Sequence, residues 1–243
     1  VISGGEYKKV REKIADVIKD RLTQGNALIL MPRVLLLPNN GTQIYVYDTQ
    51  ANDYKLIDYM PIETLVNSQS GVGNISIDDI ETRLKEVISQ HRDMLIRLRA
   101  DLKSEALRIR AGLNAAQEEL RELADFAVNN LPFEEVPYLD RRAIKDSQGN
   151  KIVTQLTFYP TGKDAPEAVR PYYKDIWEET NKIGGFTLKE FLKERISEAA
   201  DATKYPVDIK VAGRVSIDIT PRGVTKKLAV EKLETVFKIP RGS

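Results

Sequence analysis

Two lysines, Lys226 and Lys227, follow a Pro-Arg-Gly turn inside the stretch GRVSIDITPRGVTKKLAVEKL, residues 213–233. A lysine that opens a helix after a strand and a glycine turn sets an ammonium beside backbone N–H groups and the positive end of the helix dipole. Together these suit a phosphate. The plain alternative is a helix that begins with lysines for solubility. Ser216 and Asp218, in the strand before the turn, are two residues apart and therefore share one face of it. They could read a polar ligand, although polar residues also alternate on half-exposed strands that bind nothing. The chain has one histidine, His91, and no cysteine, so no partner exists to complete a His/Cys metal set or a thiol nucleophile. His91 lies on or beside an apolar helical stripe and reads as a packing residue.

The elements that must hold these groups follow from pattern. With 243 residues, 42% hydrophobic and 30% charged, the chain can bury one large core or two modest ones. Lysine plus arginine total 37 against 36 acidic residues, so charge offers no reason to expect nucleic acid or an anionic membrane as partner. No apolar run approaches ~18 residues and no secretory pattern opens the chain, which predicts a cytoplasmic protein. VISGG reads as the tail of a buried strand already under way, so an internal fragment is expected. EYKKVREKIADVIKDRL follows as a helix with its stripe at Val10, Ile14, Val17, Ile18 and Leu22. RVLLLPNNGTQIYVYD predicts a buried strand to Leu37, an Asn-Asn-Gly turn and an alternating strand through Ile44 and Val46.

Ser76 and Asp79 form a helix-capping pair, and apolar residues then recur from Leu84 to Leu123 with a slip near Leu102. An unbroken helix would span roughly 75 Å, so a break is predicted near Gly112 and Asn114, giving a helical hairpin. YLDRRAIKDSQGNKIVTQLTFYP predicts two strands joined at Ser-Gln-Gly-Asn. Helices around Tyr172–Asn181 and Thr187–Ala202, strands in VDIKVAG and VSIDITP, and a last helix from about Thr225 complete the chain. Interleaved strands and helices predict an α/β domain with an inserted α+β domain.

Taken together, VISGGEYKKV at the start and GRVSIDITPRGVTKKLAVEKL at the end resemble the haloacid dehalogenase (HAD) superfamily of phosphoryl-transfer enzymes. The likeness is to subfamily IIB, the branch with a large C2 cap inserted after the third core strand, which holds phosphomannomutases and sugar phosphatases. The resemblance implies a partial Rossmann-like core of three α/β/α layers from residues 1–60 and 213–243. It implies a C2-type α+β cap over 61–212, with the helical hairpin at about 76–130 as an insertion. Ser3 matches the Ser or Thr of the second core motif, whose hydroxyl and following amides, at Gly4 and Gly5, would hold a phosphate oxygen. Lys226 matches the third-motif lysine, which neutralises the phosphoryl group and the nucleophile.

Within the interior, LLPNNGTQIYVYD resembles the strand pair leading into the cap, with Asn40 and Gly41 matching. VTQLTFYPTGKDAP resembles the cap strand and turn that read the sugar phosphate, and Lys163 stands where phosphomannomutases carry Arg. GRVSIDITP resembles their glycine-x-x-serine-x-aspartate strand, which makes Ser216 and Asp218 binders of phosphate and sugar hydroxyls. Arg141 and Arg142 lie near another phosphate-reading arginine, and Arg142 is assigned to the phosphate.

The family's nucleophile comes from an Asp-x-Asp-x-Thr motif, and none occurs in these residues. The resemblance therefore implies a fragment of a Mg2+-dependent enzyme acting on a small-molecule sugar phosphate, with the nucleophile and the magnesium ligands outside this chain. By itself the chain is expected to be inactive. Its other expected partner is a second copy, paired through the cap or the long helices. Two further readings are a non-catalytic phospho-ligand-binding protein and an interaction protein built around the long helices.

Overall fold

The computed structural model describes residues 7–70, 75–112, 139–146, 148–162, 170–202, 205–213 and 215–238, together with Asp125 and Asn129. They form a mixed α/β structure with two antiparallel sheets, one of order β1-β2 and one of order β3-β4-β6-β5. The strands are β1 Gln43–Asp48, β2 Asp53–Tyr59, β3 Leu139–Lys145, β4 Lys151–Phe158, β5 Val207–Ala212 and β6 Ser216–Pro221. Among the described residues no helix is long and apolar enough to cross a membrane. The chain divides into two compact units, Val1–Gly71 with Arg142–Gln155 and Thr220–Ser243, and Val72–Arg141 with Leu156–Ile219. The boundaries fall inside β3, β4 and β6.

In the first unit, helix α1, Tyr7–Val10, passes through a π-helical turn, Arg11–Ala15, into α2, Asp16–Gln24. The wider turn shifts the apolar stripe by one residue. Val10 and Ala15 are therefore buried while Val17, predicted to line the stripe, is 51% exposed. The predicted strand ending at Leu37 does not form. A 3-10 segment, Leu28–Arg33 with Pro32 inside, takes up its first residue, Arg33, and the extended residues that follow make an isolated antiparallel bridge, Leu36 to Tyr45. β1 pairs along its length with β2 across the tight turn after Asp48.

Alternation then sorts the neighbours of β1. Leu36 and Tyr45 pack with Val10 and Ala15, whereas Leu37 and Ile44 pack with Ala229 and Leu233 of the last helix, α9, Lys226–Phe237. The ribbon thus has a helix against each face. Fully burying each of Leu36, Leu37 and Ile44 contributes about 1.5–3 kcal/mol to holding this arrangement. α3, Ile62–Ser70, follows β2 and buries Ile62 and Val66.

In the second unit, α4, Ile77–Gln90, begins with the predicted capping box: Asp79 N–H donates to Ser76 Oγ, and the Asp79 carboxylate accepts from Ser76 N–H. The following helix is broken earlier than the pattern suggested. α4 ends at His91, whose φ of −114° leaves the helical region, and α5 runs over Arg92–Ala111 to a second stop at Gly112. Leu95, Leu98, Leu102 and Ala106 are all buried on one helical face, so the stripe does not slip at Leu102. A return arm, predicted for residues up to 130, lies outside the described residues apart from Asp125 and Asn129.

α6, Arg170–Tyr172, continues through a π turn, Tyr173–Trp177, into α7, Glu178–Thr180, and α8 spans Leu188–Ala202. α4 and α8 cover the apolar face of the sheet: Ile80, Leu84, Ile196 and Ala200 stand around Val207, Ile209 and Ile219. His91 packs edge-on against Phe191 of α8 with ring centroids 5.1 Å apart. Burial, followed by the charge of Arg195, lowers its pKa, in keeping with a neutral packing ring.

Candidate functional site

β6 hands the chain to α9 through a turn in which Val224 N–H donates to the Pro221 carbonyl at 3.1 Å. Gly223 sits at φ +81°, a left-handed conformation that a glycine adopts without a Cβ clash. Thr225 is the N-cap residue, with extended backbone, yet its hydroxyl makes no capping bond. Lys226 and Lys227 follow at the first two helical positions, both exposed, and the first turn holds no acidic residue. Lys227 reaches Glu231 at 3.6 Å. Two ammonium groups at the positive end of a helix oppose its dipole, and N–H groups left without an intrahelical acceptor add to the same field. An anion would reverse both penalties.

The turn Asn39–Gly41 is seated on this same helix. Gly41 has φ +86°, and a Cβ built on it would fall 2.2 Å from Ala229 Cβ and 3.0 Å from Ala229 Cα. Only glycine allows that approach. The turn is tied in from the other side by a buried hydroxyl. Thr154 Oγ1 accepts from Asn39 Nδ2 at 3.4 Å and from Gln43 Nε2 at 3.0 Å, and lies 3.3 Å from the Arg142 carbonyl, to which it donates. Tyr45 OH donates to Gln43 Oε1 at 3.3 Å. Burial, with the nearby Tyr7, pushes the Tyr45 phenol up to about 12, so it remains a donor at neutral pH. Asn40 lies inside this turn, and so in the same unit as Lys226.

Ser216 and Asp218 belong to the second unit, on the sheet face opposite Ile217 and Ile219. Both are buried, at 9% and 6% exposure. Ser216 Oγ donates to the Ala212 carbonyl at 2.7 Å and so closes the β5–β6 connection, while Asp218 Oδ1 accepts from Thr157 Oγ1 at 3.1 Å. Thr157 stands directly opposite Asp218 in the antiparallel pair β4–β6.

The two adjacent arginines separate in role. Arg141 is taken up by α4, with Nε donating to Glu81 and Nη2 to Asp78, both at 2.5 Å. Burial alone would raise the Glu81 carboxyl, but hydrogen bonds from Lys85 and Arg141 outweigh it and hold the group below the usual carboxylate range. Arg142 is half-buried on β3, in the first unit. Ser3, Gly4, Gly5 and Lys163 lie outside the described residues. Among the described residues no three His, Asp or Glu side chains converge on a metal-sized site.

Pattern reading missed Thr157 and the Thr154 hub. Their one signal was polar residues at successive strand positions in VTQLTF, and their partners, 61 residues away for Asp218 and 111 for Gln43, are invisible to local periodicity. A scan against protein-family models and a search of curated proteins give no match to this chain.

Proposed function

We propose that this chain is part of a haloacid dehalogenase-type phosphoryl-transfer enzyme acting on sugar phosphates, as a phosphatase or in the manner of a phosphomannomutase. It would supply the phosphate-neutralising lysine and the substrate-reading cap. The observation that carries the reading is the start of α9. A strand and a glycine turn deliver Lys226 to a helix end that has no side-chain cap and no acidic residue in its first turn, and the Asn39–Gly41 turn is pressed against that helix at Ala229.

In this reading the Lys226 ammonium draws a phosphoryl oxygen and offsets the charge that accumulates as the phosphorus is attacked. Ser3, with the amides of Gly4 and Gly5, would hold a second oxygen. Asn40 would contribute from the same unit as Lys226, Ser216 would bind phosphate and Asp218 the sugar hydroxyls, with Lys163 and Arg142 on the distal phosphate. An aspartate from outside these 243 residues would attack the phosphorus as the bond to the sugar oxygen breaks. The released sugar oxygen takes a proton, and the phosphoryl group passes from the aspartate either to water or back to a sugar hydroxyl. Magnesium, when bound, supplies further neutralisation of the transferring group. Among the described residues no three His, Asp or Glu side chains gather as its ligands, and in this reading the ligands come from outside these 243 residues.

The test is turnover by the intact protein with mannose 1-phosphate and glucose 6-phosphate in the presence of Mg2+. Phosphate release or phosphoryl migration that disappears in Lys226→Ala is the expected result. A folded intact protein that leaves these substrates unchanged refutes the enzymatic reading, and saturable binding without turnover would favour the non-catalytic alternative.

A further inference from the structure

We propose that Thr157 is a positioning residue for the sugar-reading carboxylate of Asp218, an inference that rests on the function proposed above. β4 and β6 pair in the register Leu156 to Ile219, Thr157 to Asp218 and Phe158 to Ile217. One face of this pair is apolar, with Leu156, Phe158, Ile217 and Ile219 all at 0% exposure. The other carries Thr157, Ser216 and Asp218, which are also buried. Central strands covered on both faces are ordinarily apolar on both, and a buried carboxylate without hydrogen-bonding partners carries a large desolvation cost. A polar layer in this position is therefore a costly departure from the simplest packing, and it coincides with the two residues assigned to the sugar phosphate.

Thr157 and Asp218 answer each other within that layer. The threonine is wholly buried, its Cβ branch restricts χ1, and its Oγ1 donates to Asp218 Oδ1 across the strand pair at 3.1 Å. A carboxylate held by a cross-strand donor on a stiff side chain cannot rotate freely. Its orientation toward a ligand is set before the ligand arrives, and this lowers the ordering cost of binding. Ser216, two residues earlier on the same face, is fixed in turn by its bond to the Ala212 carbonyl. Thr157 is thus predicted to act on the sugar through Asp218 without touching the transferring phosphorus.

The experiment compares Thr157→Val, which keeps the shape and removes the donor, with Thr157→Ser, which keeps the donor. In the intact protein, KM for mannose 1-phosphate should rise about tenfold in Thr157→Val with kcat changed less than threefold, and Thr157→Ser should stay near wild type. Inhibition by inorganic phosphate, which has no sugar hydroxyls, should be unchanged in both. Equal weakening toward mannose 1-phosphate and inorganic phosphate would mean general damage and overturn the inference. So would Thr157→Val with an unaltered KM. A wild-type protein that neither binds nor turns over sugar phosphates removes the functional reading itself, which separates that failure from a failure of the role of Thr157.

Discussion

Gly41→Ala should be among the most damaging single-methyl additions in the first unit. The new Cβ would stand 2.2 Å from Ala229 Cβ and 3.0 Å from Ala229 Cα, against a comfortable carbon–carbon separation of about 3.5–4.0 Å. Either the Asn39–Gly41 turn or α9 must move by more than an ångström, an overpacking penalty of about 1–3 kcal/mol. The substitution also forces an L-residue into the left-handed region at φ +86°, which costs roughly 1–2 kcal/mol. The two effects together predict a loss of about 2–5 kcal/mol.

Gly149→Ala separates these contributions, because Gly149 has nearly the same φ, +84°, and no atom within 4 Å of the place its new Cβ would take. It should show the backbone cost alone, about 1–2 kcal/mol. Urea denaturation followed by far-UV circular dichroism would compare the two variants with wild type. The double variant Gly41→Ala/Ala229→Gly should recover part of the loss, since it removes the nearest atom, offset by about 1 kcal/mol for a glycine within a helix. A Gly41→Ala midpoint equal to that of Gly149→Ala would refute the close approach of the turn to α9. An additive double variant, with no coupling between the sites, would do the same.

Lys226→Ala and Ser3→Ala should each abolish sugar-phosphate turnover in the intact protein. Because Lys226 is exposed, its removal should move the urea midpoint by no more than about 0.5 kcal/mol in stability; near-normal turnover in either variant would defeat the assignment. Lys189 and Glu178 form an ion pair with side chains only 6% and 5% exposed, and Tyr173 OH also donates to Glu178 Oε1. Lys189→Met should therefore cost about 3–5 kcal/mol by leaving a buried charge unpaired, and Lys189→Met/Glu178→Gln should restore much of it by equilibrium unfolding. Glu81 has a folded-state pKa held below its ordinary value, so its contribution to stability is present above the unfolded pKa and is lost as pH falls through the folded one. Arg141→Leu should thus be most destabilising near pH 7, and its difference from wild type should shrink as unfolding is measured at progressively more acid pH; a pH-independent difference would contradict the ion pair.

Parts of this molecule were legible because their signals are local. The Ser76/Asp79 cap lies within four residues, the Asp146–Asn150 turn between β3 and β4 is marked by Gly149, and the stop of α5 is marked by Gly112. The strand, glycine turn and lysine-led helix around Lys226 are local in the same sense. The break at His91 carries no glycine or proline, and the π turn at Arg11–Ala15 displaces Val17 without any change in the periodic pattern. VLLL looked like a strand because it is apolar and partly β-branched. The 3-10 segment that ends at Arg33 shortens the predicted strand, and what pairs with β1 is the isolated bridge from Leu36 on one edge and, on the other, β2, whose polar residues Asp53, Lys55 and Asp58 hid it in the sequence. The candidate site divides the same way, since Lys226 is announced by its flanks whereas Thr157 acquires meaning only from the β4–β6 register.

The order β3-β4-β6-β5 also imposes a timetable on synthesis. The hairpin β3–β4 can close as soon as Phe158 has emerged, but the inner edge of β4 must wait for β6, whose pairing residues come about 60 residues later. During that interval an edge bearing Leu156 and Phe158 is unpaired, the kind of template that recruits other chains. The wait ends when β5 and β6 arrive together and seal the sheet from the C-terminal side. Closing so long a loop is slow relative to hairpin formation. Growth rate and temperature during expression should therefore govern how much of this protein reaches the native sheet more strongly than its final stability does.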